Sequence, residues 1–476
     1  MFTNCRTYLR WIAVTLILCV PVEPTVLAQS SGPASKVLTV EEAVDFALKN
    51  YPAVRASLER VNAAQAGIGL ARTNYLPRTD MLWQTNRATD NNVTGLLLPQ
   101  SIIAPISGPV PVSVSNQSAW GSAAGLLFSW EPFDFGYRGA KVDAARAARA
   151  QAAAEASLTR LEVAFATVNA YLTVLAAQRT VRAAEADVQR RDTFDKSVHV
   201  LVDNQLRAGA DASRADAELA RARVNFARAK QQEKISRATL ADILGLSDAS
   251  VEVREGSLLG PPSGGSPQTT SLASNPIAEV QHARVQAAQA QVHILDRSYY
   301  PKFYLQSSVY GRGSGLDSAG RFEGGTAGLG PDRANWAVGL SVTFPVFDIF
   351  AIRSRKAIES ANERAEAARY EQTLQDLTGQ LRKAQASLEG ARSVAENTPQ
   401  ELDAARTTET QVRARYEAGL ATLADVADAQ SLLVQSETDD ALARLAVWQN
   451  LAAVSASQGD LQPFLQFLHD KTQGGP

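Results

Sequence analysis

The residues able to do chemistry are few. The four histidines, His199, His282, His293 and His469, are scattered, and none forms an HExxH or other close ligand pair. His282 and His293, eleven positions apart, read as points on a solvated helix face. No GxxxxGK[ST] loop is present to cradle a nucleotide. Gly311-x-Gly313-x-Gly315 lacks dinucleotide-fingerprint spacing and is expected in a loop. The only cysteines, Cys5 and Cys19, precede residue 20, which excludes a disulfide framework, a Cys-based zinc site and a thiol nucleophile in the body of the chain. One constellation points to directed electrostatics. Asp425 and Asp428 are three apart, so both fall on one helix face just beyond Gly419, with Tyr416 just before it. Stacked rings of such carboxylates at a constriction attract cations and repel anions. A plainer reading coexists: Thr422 followed three positions later by Asp425 forms a capping box, with Asp standing in for Glu, and acids near a helix start complement its dipole. Charge runs such as Arg190-Arg191-Asp192 read as solvated helix surface. No catalytic group, cofactor site or metal site is expected.

The elements that must position these residues are long helices. The chain has 476 residues, 45% hydrophobic and 20% charged, with only 7% aromatic and about 80 alanines. That composition folds, and it favours helix. A net charge of -2 offers no basic excess for nucleic acid. Leu158, Leu161, Phe165, Val168, Leu172 and Leu175 follow a 3,4 spacing, and Leu374, Leu377, Leu381, Ala384, Leu388 and Ala391 repeat it, which is a coiled-coil seam. Residues 137–205 hold no Pro and no Gly after Gly139, so a continuous helix there would reach about 100 Å. Gly209 and Gly419 interrupt the helical runs and predict turns at a common tip.

Two halves of the chain look alike. Asn50-Tyr51-Pro52 and the turn at Pro77 recur at Ser274-Asn275-Pro276 and Pro301, both displaced by 224. Gly125-Leu126 and Phe133-Asp134 recur at Gly339-Leu340 and Phe347-Asp348, displaced by 214. Ala208-Gly209 pairs with Ala418-Gly419 at 210. Each half reads as a helix (40–73 in the first), a proline stop, two strands and long helices. The strands are expected at 78–87 and 119–130, then 302–312 and 335–345, joined by long loops at 88–118 and 313–334. Trp83, Trp120, Trp130 and Trp336 fall in or beside them, as in an interfacial aromatic belt. The expected organisation is a signal peptide at 1–28, a first repeat at 29–246, a linker at 247–273, a second repeat at 274–458 and a tail at 459–476. Arg6 and Arg10, the apolar run from Trp11 and Val26-Leu27-Ala28 carry the signal-peptide reading. Four strands cannot close a barrel in lipid, because their edges would leave backbone groups unpaired. Several chains would have to pool them. The alternative is a soluble periplasmic coiled-coil scaffold or adaptor without a pore.

Over the whole mature chain the sequence resembles the TolC-like outer-membrane efflux protein family. The resemblance rests on the opening segment Leu38-Thr-Val-Glu-Glu-Ala-Val-Asp-Phe-Ala-Leu-Lys-Asn-Tyr-Pro52, the duplicated turns at Pro77 and Pro301, and Tyr416-Glu-Ala-Gly419-Leu-Ala-Thr-Leu-Ala-Asp425-Val-Ala-Asp428-Ala-Gln. It implies a mainly α fold with a small β part: a homotrimer whose four strands per protomer make a 12-stranded barrel in outer-membrane lipid, continued by an α-barrel of coiled-coil helices through the periplasm. It implies an exit duct of a tripartite efflux pump or type I secretion system, partnered by a periplasmic adaptor and an inner-membrane transporter, with no cofactor. It further implies that Tyr416, Asp425 and Asp428 form the periplasmic gate. Ala421 stands where the best-known members carry a basic residue, and Ala215, followed by Asp216, stands where the first half would place an aspartate.

Overall fold

The computed structural model describes residues 36–89, 116–246, 251–254, 258, 272–317 and 321–473. The signal segment, both cysteines and most of the first long loop lie outside the described residues. The chain begins with β1 (Lys36–Leu38), α1 (Val40–Asn50), α2 (Pro52–Thr73), β2 (Arg78–Thr89) and β3 (Ser118–Trp130). It continues with α3 (Tyr137–Asp203), α4 (Gly209–Ile243), β4 (Val251–Val253), α5 (Pro276–Arg297), β5 (Lys302–Ser314) and β6 (Arg333–Thr343). The last helices are α6 (Asp348–Glu417), α7 (Leu423–Ser457) and α8 (Gln462–Gln473).

Proline sets many of the boundaries. The helix expected over 40–73 is two helices, because Pro52 lacks an amide and takes the first position of α2 after an extended Tyr51. Pro276 opens α5 in the same way, with Asn275 capping the Ile277 amide. Pro77 and Pro301 end the turns that lead directly into β2 and β5. Three strands run slightly longer than expected and β6 starts and ends two residues earlier, and all four pair in one antiparallel sheet of order β2-β3-β5-β6, so the β3–β5 pair joins the two halves.

The helices form two hairpins, α3–α4 and α6–α7, lying side by side through α3 and α7, with α2 and α5 packed against the upper part of α3. At 67 and 70 residues, α3 and α6 each extend about 100 Å. The main apolar core sits partway along them. There Val168, Leu172 and Leu175 of the expected seam are buried with α1, Trp448 of α7, and Phe464 and Leu468 of α8. After the first repeat, β4 pairs in parallel with β1. The Tyr171 hydroxyl fastens this pair, lying 2.7 Å and 2.9 Å from the carbonyls of Arg254 and Leu38.

The arginine run is a correction. Arg191 is only 6% exposed, pairs with Asp187 at 3.0 Å and with Glu218 of α4 at 3.0 Å, and donates to Ser431 of α7. Its neighbour Arg190 bonds Glu437 of α7 at 2.9 Å. The reason is flanking: α3 has α4 on one side and α7 on another, so the face that carries Asp187 and Arg191 is turned away from solvent.

Candidate functional site

The tip where both hairpins turn gathers the residues singled out by sequence. At the second turn Gly419 has φ +77°, and the Leu420 amide donates to the Arg415 carbonyl in the return that favours glycine. Thr422 then caps α7. The Asp425 amide donates to Thr422 Oγ1, and Asp425 Oδ2 accepts from the Thr422 amide at 2.8 Å and hydroxyl at 2.7 Å. These bonds hold the Asp425 carboxyl below the usual carboxylate range. Asp425 and Asp428 are both exposed, so capping and surface charge coexist in one residue.

Tyr416 does not stand in the open. It is buried with Val198, Ala215, Leu423 and Val426, edge-on to Phe194 at 5.2 Å. Burial, and then the negative charge of Asp211, push its phenol up. Arg207 stacks on its ring at 4.3 Å and donates to its carbonyl, locking the first hairpin to the second.

The first turn differs from expectation. Gly209 is simply the first residue of α4. The left-handed position is taken by Gln205, at φ +59°, with the Leu206 amide donating to the Leu201 carbonyl. Helices α4 and α7 are both 35 residues long and start at 209 and 423. The displacement is therefore 214, as between β3 and β6, and the Ala-Gly match at 210 is accidental. In the corrected register Gln205 corresponds to Gly419, Arg207 to Ala421 and Asp211 to Asp425. The first hairpin thus has its aspartate at Asp211, whereas Ala215 is buried. The basic residue lacking at Ala421 is present in its counterpart, Arg207. Sequence reasoning missed both because it followed the dipeptide; the displacement of 214 already carried by Gly125-Leu126 and Phe133-Asp134 was the usable signal.

At the opposite end, the register sorts the sheet into two faces. Residues paired across an antiparallel ladder point the same way. Met81, Trp83, Leu126, Val309, Trp336, Val338, Leu340 and Val342 share one face and are exposed, Trp336 at 78%. Gln84, Ser129, Gln306, Ser308, Arg312, Asn335 and Ser341 share the other. This alternation is that of a lipid-facing strand with a polar interior. Below the sheet, Phe133, Phe135, Tyr300 and Phe303 form an aromatic cluster, with Phe135 and Tyr300 stacked at 5.0 Å. Here the turn before Pro77 is pinned: Trp130 Nε1 donates to the Tyr75 carbonyl, and Arg138, paired with Asp134 at 2.9 Å, donates to the Asn74 carbonyl. The glycines at 311–315 serve packing. A Cβ at Gly313 would lie 2.0 Å from the Gly330 carbonyl oxygen.

The model of the family described as outer membrane efflux protein matches residues 43–246 and 269–460. Protein CyaE of Bordetella pertussis is 26% identical over 458 residues, covering 92% of this chain and 88% of that protein. The pyoverdine export outer membrane protein OpmQ of Pseudomonas aeruginosa is 24% identical over 422 residues, covering 87% and 82%. The outer membrane channel CmeC of Campylobacter jejuni has the same fold, with a TM-score of 0.72 at 16% identity over 91% of this chain and 89% of that one. An apolar strand face, periplasm-length helices and a family match over most of the chain exclude the poreless scaffold. The chain belongs to the outer membrane efflux protein family, the outer-membrane ducts that work with an adaptor and an inner-membrane transporter in efflux or secretion.

Proposed function

We propose that three copies pool their strands into a twelve-stranded outer-membrane barrel and their long helices into a tunnel, through which small molecules or polypeptides leave the cell. The observation that carries this reading is the sheet. One face is apolar and exposed, and among the described residues β2 and β6 each have one unpaired edge. In lipid an unpaired edge costs several kcal/mol per backbone group, so the sheet needs further copies of itself. Helix surfaces support the same reading: Leu70, Val224, Ile235, Ile358 and Val394 are exposed apolar residues on α2, α4 and α6 with no neighbour inside one protomer to cover them.

The two repeats, at 29–246 and 274–458, follow a segment removed on export and are joined by a linker at 247–273. At the tip, Asp425 and Asp428 form rings of carboxylates around the threefold axis, and Tyr416 with Arg207 holds the hairpins together. The turns at Gln205 and Gly419, and the helix start at Gly209, shape the end that meets the adaptor. The name of OpmQ, a pyoverdine exporter, supports a small-molecule cargo here.

Planar bilayers test the reading. Purified protein is expected to give discrete cation-selective current steps. Protein that reconstitutes without any conductance, or with anion selectivity, contradicts the pore or the carboxylate rings respectively.

A further inference from the structure

Near the tip, on the first hairpin only, three potential ligands converge. His199 and Asp195 are one turn apart on α3, and Asp216 comes from α4. Their ligand atoms all lie within 4.8 Å of one another. His199 Nε2 is 3.2 Å from Asp216 Oδ1 and 3.9 Å from Asp195 Oδ1. Around a tetrahedral zinc with bonds of about 2.1 Å, neighbouring ligand atoms sit roughly 3.4 Å apart, so these separations need little adjustment.

His199 is the basic group set between the two acids. Asp195 has a side chain only 13% exposed, and its Oδ1 is buried with no hydrogen-bond partner. The nearby cations are committed elsewhere: Lys196 pairs with Asp192 at 2.6 Å and Arg223 with Asp192 at 3.3 Å.

The second repeat shows how the same position is neutralised otherwise. At the displacement of 214, Asp195, His199 and Asp216 become Glu409, Arg413 and Gln430. There Arg413 pairs with the buried Glu409 at 3.5 Å, and one carboxylate is replaced by an amide. A permanent guanidinium balances a single acid. The first repeat sets two acids and an imidazole at the same place.

We propose that Asp195, His199 and Asp216 bind one divalent transition-metal ion of the zinc type per protomer, tying α3 to α4 just above the tip. An imidazole with two carboxylates suits Zn²⁺ and its neighbours rather than Mg²⁺ or Ca²⁺, which take oxygen ligands. The sequence signal is an Asp-x-x-x-His pair on one helix face; the third ligand, seventeen residues on, becomes a neighbour only because the chain turns back at Gln205.

The test uses untagged, detergent-purified full chain, stripped with chelator and dialysed against Zn²⁺ with Mg²⁺ in excess. Elemental analysis is expected to find one zinc per protomer that is lost in His199→Gln, in Asp216→Asn and in His199→Arg. The last variant installs the second repeat's residue and guards against a folding artefact. Hydrogen exchange in α4 around Asp216 should slow on zinc addition in the parent and not in His199→Arg. No zinc uptake by the parent, or equal uptake by parent and variants, overturns the proposal.

Discussion

At the scale of single residues, Asp425 carries two roles that can be separated. Its carboxylate closes the first turn of α7 through Thr422, whereas Asp428 has no such bond among those of the cap and offers charge alone. The cap bonds stabilise the start of α7, and Asp428 makes none of them. Asp428→Ala is therefore expected to weaken block by multivalent cations in bilayers while leaving thermal stability unchanged. Asp425→Ala should weaken block and also lower the unfolding midpoint. Unchanged block in both variants would remove the carboxylates from the gate. The sign of the pH effect follows from the Thr422 bonds, which lower the Asp425 pKa. The anion and its cap persist below the unperturbed carboxylate value of about 3.9 and are lost only as pH falls through the lowered value. Cation block should survive at pH 5; block that vanishes near pH 6 would implicate a histidine instead. Arg207 is the residue-scale feature that sequence spacing concealed. Its contact with Tyr416 joins residues 209 positions apart, and no local pattern encodes that.

At the scale of elements, what could be read from sequence was whatever a residue imposes on its own neighbourhood. Pro77 and Pro301 fix the entries to β2 and β5, alternation and tryptophans mark the strands, and Gly419 marks its turn. Positions set by packing between elements were not readable. Gln205 adopts a left-handed φ although glycine is the usual choice, because the length of α3 and the tip cluster fix where the chain must return. Arg191 looks like surface in a charged run, yet it is enclosed because α4 and α7 flank α3. Breaking a buried ion pair by deleting one partner typically costs 3–5 kcal/mol. Arg191→Ala, which strands Asp187 and leaves Glu218 and Ser431 without their shared donor, is expected to lose on the order of 3 kcal/mol. Chemical denaturation of the detergent-solubilised protein would show this as an earlier midpoint, and a midpoint within error of the parent would return the arginine to the surface. Helix α6 also contains Pro399, which removes one hydrogen bond that α3 keeps, so the two hairpins are not mechanically identical.

At the scale of the whole molecule, the account rests on a sheet that is incomplete alone. Its outward edges, β2 and β6, belong to opposite ends of the order β2-β3-β5-β6, so a ring forms when β6 of one protomer pairs with β2 of the next. Such a heterologous contact closes only at a fixed number of copies. Both native cysteines lie before residue 20, which leaves the strands free for engineered ones. The most direct test places a cysteine at Gln84 of β2 and walks a second along residues 335–341 of β6, then oxidises intact outer membranes and counts the linked species. The account predicts one register at which denaturing gels show a ladder ending at three chains. Linkage at no register, or a ladder ending at any other number, would contradict it.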